Sequence, residues 1–245
     1  MSSLRRVARV EARLAPCRWL WAEGHPDLIA ANWARRQSVR PELFNGRILM
    51  VAKATIRGDA MAVRFFQTDY ANLLAWIEHG FPGEPVWNGF AMGALRGRDG
   101  GYVLGRMADH TANAGRLYFP CGTPDLSDVT GSGAVDLAGS LTREIGEETG
   151  LATGDYAVEP GWIVVRDGGL MAFMRVAQLR ATAEAACGRI RAHIAAEANP
   201  ELAGVEIAAG SGDFDEATMP GVVPIFLRDA FAREAAAAEA APAGL

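Results

Sequence analysis

Glu144, Glu147 and Glu148 are the residues of this chain best suited to chemistry. They lie in the segment Leu141-Thr142-Arg143-Glu144-Ile145-Gly146-Glu147-Glu148-Thr149-Gly150-Leu151. On a helix, carboxylates three and four residues apart project from overlapping faces. Like charges held that close repel one another, and a hard divalent cation offsets the repulsion because carboxylate oxygens are its preferred ligands. Arg143 can pair with one carboxylate and orient it. Leu141 and Ile145 point the other way and can anchor the helix to a core. A solvated acidic helix is the plain alternative, and isolated glutamates would indicate no more than that.

The elements that must position these residues can be read from periodicity. Val135 to Thr149 forms the acidic helix, with Leu137, Leu141 and Ile145 as its apolar stripe and Gly150 as its stop. Upstream, Val86–Arg96 and Tyr102–Met107 read as strands around a turn at 98–101. Leu117-Tyr118-Phe119 is a short strand running into Pro120-Cys121-Gly122 and a polar loop, 123–133. Downstream, Tyr156–Arg166 and Leu170–Leu179 pair around Asp167-Gly168-Gly169. Ala183–Ala198 is helical, Val205–Ala208 is a strand, and Pro224–Glu239 is a last helix, with Pro242–Leu245 frayed. Before all this, Val10, Ala12 and Leu14 mark a strand and Asp27–Arg36 a helix. Arg47–Ile56 and Ala60–Gln67 form a hairpin, and Thr68 caps a helix ending at Glu78. Phe81–Pro85 is the linker candidate. The expected division is an N-terminal α/β segment, 1–84, and a second domain, 85–245. Strands outnumber helices and hairpins mix with crossovers, so the fold class is α/β (α+β) with a mixed sheet.

The string from Arg143 through Leu151 resembles the second half of the Nudix box: arginine, glutamate, apolar, any, glutamate, glutamate, any, glycine, apolar. The first half of that pattern departs. A glycine, five residues and a glutamate should come before the seven residues that precede the arginine. Counting back puts the glutamate at Val135, beside Asp136, and the glycine at Val129. Gly122 looks like the start of a lengthened loop, which leaves the role of Asp136 open. The resemblance implies an α/β/α sandwich around a mixed sheet, here with an added N-terminal α/β segment. It implies metal-dependent hydrolysis of a diphosphate linkage, with Mg²⁺ or Mn²⁺ as cofactor and a nucleoside diphosphate derivative as substrate. By that analogy Glu144, Glu147 and Glu148 are metal ligands, with the Gly122 carbonyl as a further one. Glu147, Arg143 and an acid from outside the box carry the catalysis. Candidates for that acid are Glu184, Glu197, Glu201 and Glu206. Glu201 is favoured, because related enzymes place a glutamate in such a loop before a short strand.

Trp33-Ala34-Arg35-Arg36-Gln37, Pro41 to Gly46 and Phe66 to Tyr70 are similar to the front part of a Nudix relative that hydrolyses UDP-glucose and UDP-galactose. The segment Leu117 to Asp125 is similar to another part of it. This implies a nucleotide sugar as substrate. The alternatives are ADP-ribose, NADH, CoA or dinucleoside polyphosphates, or a ligand-sensing module without catalysis, which the missing glutamate at 135 motivates. Packing of Trp33, Phe44 and Tyr70 in a small core is the plainer account of the aromatic residues.

Composition bounds the rest. The 245 residues carry a net charge of -5, which argues against a nucleic-acid partner. Lys53 is the single lysine among 24 basic residues, a bias expected of a GC-rich bacterial gene. Cys17, Cys121 and Cys187 are too few and too far apart for a disulfide framework or a zinc pattern, which fits a reducing cytoplasm. No signal peptide and no membrane span are expected. The four histidines show no ligand spacing. Tyr118, Phe119 and Trp87 could stack on a base, although strand aromatics usually pack in a core. A homodimer is an expectation of the family only.

Overall fold

Apolar residues at every second position and glycines at the turns set the strands and their ends. The structure, a computed structural model, describes residues 2–240. It opens with β1 (Ser3–Val7), β2 (Arg9–Leu14), α1 (Leu20–Gly24), α2 (Pro26–Val39), β3 (Arg47–Arg57), β4 (Ala60–Asp69) and α3 (Tyr70–Glu78). β5 (Asn88–Arg96), β6 (Tyr102–Met107), β7 (Leu117–Tyr118), β8 (Cys121–Gly122) and a helical turn at Leu126–Asp128 lead into α4 (Leu137–Thr149). β9 (Tyr156–Val158), β10 (Trp162–Asp167), β11 (Leu170–Leu179), α5 (Ala183–Ala196), β12 (Leu202–Ala208) and α6 (Val222–Ala240) complete it. Pro242–Leu245, expected to fray, lie outside the described residues.

The main sheet is mixed. Its order is β1-β10-β11-β5-β6-β12, with β5 and β11 parallel and the other pairs along this path antiparallel. Both central strands are buried on both faces, as a strand covered by helices on each side must be. Ala91 and Leu95 of β5 face α4 and α5, while Phe90, Met92 and Ala94 face α6. This is an α/β/α sandwich. Gly93 lies directly beneath α4: a Cβ there would come within 2.6 Å of the Ile145 Cδ1 atom. The missing side chain therefore sets how closely the acidic helix approaches the sheet.

The first segment forms a second sheet of three strands, β2-β4-β3. The expected division after residue 84 does not coincide with a break in the packing. β1 pairs with β10 in the main sheet, and Val51 exchanges both backbone hydrogen bonds with Trp87. Leu49, Val51 and Phe65 share one core cluster with Leu141, Ile145 and Phe173. Nor does Phe81–Pro85 hang free. Phe81 packs edge-on against Trp76 with ring centroids 4.9 Å apart, and the Trp76 indole N–H donates to the Pro82 carbonyl.

Two local expectations need correction. Thr68 does not cap α3. It lies within β4, buried, and its hydroxyl accepts from the Asn72 amide, while Asp69 takes the N-cap position without a side-chain hydrogen bond. The first turn of α3 is satisfied from elsewhere, with Ala71 N–H donating to Asn45 Oδ1 at 2.8 Å and Tyr70 N–H to the Gly46 carbonyl. The single strand expected over Tyr156–Arg166 is broken at Gly161, whose φ of 77° turns the chain. β9 and β10 then pair with opposite ends of β11.

The contact between Gly93 and Ile145 gives a direct test. Gly93→Val should destabilise the fold by about 1–3 kcal/mol in urea unfolding, because the added methyls meet an already filled space.

Candidate active site

α4 is built to hold its acids rigidly. The Asp136 side chain caps its start, accepting from Gly139 N–H at 2.9 Å, and Gly150 ends it in the left-handed conformation. Asp136 thus has a capping role. The His193 ring, on α5, donates from Nε2 to the Glu147 carbonyl at 3.1 Å and secures the last turn. Glu147 and Glu148 sit in the last turn, where the helix dipole is negative and no basic residue of α4 compensates it, and Glu144 lies one turn earlier.

Glu148 is buried, with 8% of its surface exposed, and its Oε1 accepts the Cys121 N–H at 3.0 Å. No cationic side chain pairs with it among the described residues. Glu144 lies over Gly122, where a Cβ would stand 2.0 Å from its Oε1. Only glycine leaves room for this carboxylate. Glu147 is at the exposed rim, with the Arg143 Nε 3.9 Å away. Burial, then repulsion from Glu147 and Glu201 against the pull of Arg143, raises Glu144 from the ordinary 4.5 to about 6. Burial also pushes Glu148 well up, with the Cys121 N–H opposing and Glu144, Glu201 and Glu147 adding to the rise. The half-buried Cys121 thiol is pushed up by desolvation and the same acids.

Arg143 is the one cation of the group, and its principal partner is a residue the sequence analysis did not single out. Its Nη1 donates to Asp128 Oδ1 at 2.6 Å and its Nη2 to Glu144 Oε1 at 3.3 Å. Asp128 is buried and also accepts the Asp125 N–H. The chain path explains how it arrives. Val129 and Val135 form a β-bridge, so 129–135 loops out as a small hairpin, and Asp136 N–H donates to the Asp128 carbonyl. With that excursion set aside, Gly122, five residues, Asp128, seven residues and Arg143 follow in the spacing of the Nudix pattern, with aspartate in place of glutamate. Val129 and Val135, reached by counting back from Arg143, fall at the two ends of that excursion, and Gly122 stands where the lengthened loop begins. The Gly122 to Asp128 spacing was the signal available in the sequence.

Glu201 precedes β12, held where its carbonyl accepts the Ala108 N–H. It lies within electrostatic reach of Glu144, Glu148 and Cys121. The other three candidates have partners of their own. Glu184 pairs with Arg191, Glu197 with His193 and Glu206 with Arg106. Of the aromatics, Phe119 is fully buried in the core and Trp87 lies under the Arg166 guanidinium. Tyr118 lines a cavity next to Cys121. Phe44 is 81% exposed and takes no part in a core.

Among the described residues, no three acidic, histidine or cysteine side chains meet at a common point. The donor set nevertheless fits a hard cation. It is all oxygen, it has one arginine for four carboxylates, and Gly122 leaves an open cradle beneath Glu144. No helix among the described residues is long and apolar enough to cross a membrane.

No family profile matches the chain, and no curated protein matches it. Among solved structures, the chain is similar to the Nudix hydrolase RenU from M. smegmatis, at 16% identity and a TM-score of 0.39, over 62% of this chain and 86% of that one. It is similar to a Nudix hydrolase from Nitrosomonas europaea at 12% identity and a TM-score of 0.38, over 60% and 90%. It is also similar to the MutT protein from Methanosarcina mazei Go1 at 19% identity and a TM-score of 0.35, over 60% and 94%.

Two outcomes follow from this geometry. Asp128→Ala should cost about 2 kcal/mol in denaturant unfolding, because Arg143 loses a charged hydrogen-bond partner. The second concerns protons. Glu144 binds a proton more tightly folded than unfolded, so it stabilises the metal-free protein below the ordinary carboxylate range and that contribution is lost as pH rises through about 6. A divalent cation competes with this proton. Mg²⁺ or Mn²⁺ should therefore raise the melting temperature more at about pH 7.5 than at about pH 5, read by thermal unfolding with and without chelator.

Proposed function

We propose that this chain is a Nudix-type hydrolase that cleaves the diphosphate linkage of a nucleoside diphosphate derivative, with a nucleotide sugar such as UDP-glucose as its substrate. The observation that carries this is the cradle itself. Glu144 lies on Gly122, Glu148 is tied to the Cys121 N–H, and Arg143 is locked between Asp128 and Glu144. A cluster of acids at the negative end of a helix is costly in isolation and becomes favourable once a cation and an anionic substrate are present together.

In this reading Glu144, Glu147 and Glu148, with the Gly122 carbonyl, would hold Mg²⁺ or Mn²⁺. The ion supplies Lewis acidity toward the phosphate oxygens and lowers the pKa of nearby water. Arg143 orients Glu144. Glu201 accepts a proton from the water that attacks one phosphorus. The new P–O bond forms from that water, the bridging P–O bond breaks, and the bridging oxygen leaves on the other phosphate. The missing acid at 135 was the ground for a non-catalytic sensor, and Asp128 now pairs with Arg143 in its place. Three free cysteines are in keeping with a reducing, cytoplasmic setting.

The test is a substrate panel of UDP-glucose, ADP-ribose, NADH, CoA and dinucleoside polyphosphates with Mg²⁺ or Mn²⁺. UDP-glucose should be hydrolysed fastest. Glu147→Gln should lower kcat by about 100-fold or more while circular dichroism and melting temperature stay at their original values. A fully active Glu147→Gln protein would overturn the mechanism.

A further inference from the structure

A cavity of about 620 Å³ opens beside the carboxylates, within the size range of small-molecule sites. Cys121 joins the two places. Its residue lines the cavity, its N–H holds Glu148, and the next residue lies under Glu144. The floor comes from β5, β7 and β8 of the main sheet. The roof is supplied by the first segment: α3 contributes Tyr70, Leu73, Leu74 and Ile77, and α2 contributes Arg36. α3 is an apolar helix in which Leu73 and Leu74 are nearly inaccessible and Ile77 is at the rim.

The polar side chains of the walls offer mostly N–H and O–H groups, with the Asn113 amide able to donate or accept. Asn88 Oδ1 is occupied by the Thr123 hydroxyl at 3.2 Å, and no partner among the described residues takes its amide hydrogens. Arg116 is held by the Met219 carbonyl at 2.6 Å, and no carboxylate pairs with it among the described residues. The Tyr70 and Tyr118 phenols carry their hydroxyl hydrogens at neutral pH and can donate them. No aspartate or glutamate lines the cavity among the described residues. Walls that mostly donate call for a ligand that mostly accepts, and a cationic ring would meet no carboxylate among those walls, the acids beyond Cys121 being the ones assigned to the cation.

We propose that this cavity binds the ring-bearing end of the substrate. Its roof, built from α2 and α3, and its donor-lined walls select an uncharged or anionic, acceptor-rich ring such as uracil over a cationic one. This rests on the hydrolase reading for what the ring is attached to. The selection itself comes from the first segment and the cavity walls.

The test compares two ribose 5′-monophosphates that differ in ring charge, UMP and nicotinamide mononucleotide, by calorimetry on the full chain with Mg²⁺. UMP should bind about tenfold or more tightly than nicotinamide mononucleotide. Ile77→Trp, at the rim, should narrow the mouth and weaken UMP about tenfold with an unchanged melting temperature. Asn88→Asp keeps the acceptor for Thr123 and places a carboxylate in the wall, so it should weaken UMP and strengthen nicotinamide mononucleotide. The proposal is overturned if nicotinamide mononucleotide binds the unaltered protein as well as UMP does. It is equally overturned if both folded variants keep the original affinities, or if UMP shows no binding at about 5 mM. Binding is read without turnover. An inactive protein that still prefers UMP refutes the hydrolase reading alone, and an active one indifferent to ring charge refutes this proposal alone.

Discussion

Negative charge gathered at the wrong end of a helix is the constraint on which this structure turns. Glu147 and Glu148 stand where the dipole of α4 already disfavours them, Glu148 is buried there, and Glu144 lies one turn away. Three things hold the arrangement in place. Ile145 seats the helix on Gly93, the His193 ring secures its last turn, and the pair of Arg143 with Asp128 keeps the one cation of the group beside Glu144. With the backbone this well fixed, the carboxylates cannot relieve their repulsion by moving far. Burial first, and their mutual repulsion after it, pushes Glu144 and Glu148 upward toward the protonated form, and a bound cation would offset both.

The first segment packs directly against these acids' surroundings. Its hairpin shares a core with α4 and the main sheet, its first strand extends that sheet, and α3 roofs the cavity that begins at Cys121. The rigid sandwich thus carries the acids, and the added segment shapes the space beside them. In the proposed reading, chemistry falls to α4 and selectivity to the first segment, and the two meet at β8.

Much of the fold was legible because it is written in local patterns. The stripe of Leu137, Leu141 and Ile145, the hairpin around Gly58 and the glycine stop at 150 each depend on residues a few positions apart. What misled was also local. Thr68 is a good capping residue by type, yet Asn45 and Gly46 reach the α3 N-terminus through space. Tyr156–Arg166 is continuously strand-like apart from Pro160 and Gly161, where the turn falls. Counting back from Arg143 lands on Val129 and Val135, and their bridge is what lengthens the loop that starts at Gly122.

From the sequence alone came the chemical character of α4: three carboxylates on overlapping faces, an arginine among them, and an apolar stripe opposite. That character follows from 3.6 residues per turn and needs no other part of the chain. Tertiary structure decided the rest. It brought Asp128 to Arg143 across a looped-out hairpin and laid Glu144 on a glycine of another strand. It set Glu201 within reach of both buried acids and closed a cavity with a helix from the far end of the sequence. The reason is one of range. Helical spacing is a property of neighbouring residues, whereas the field and shape of a site are set by groups that the chain path alone brings together.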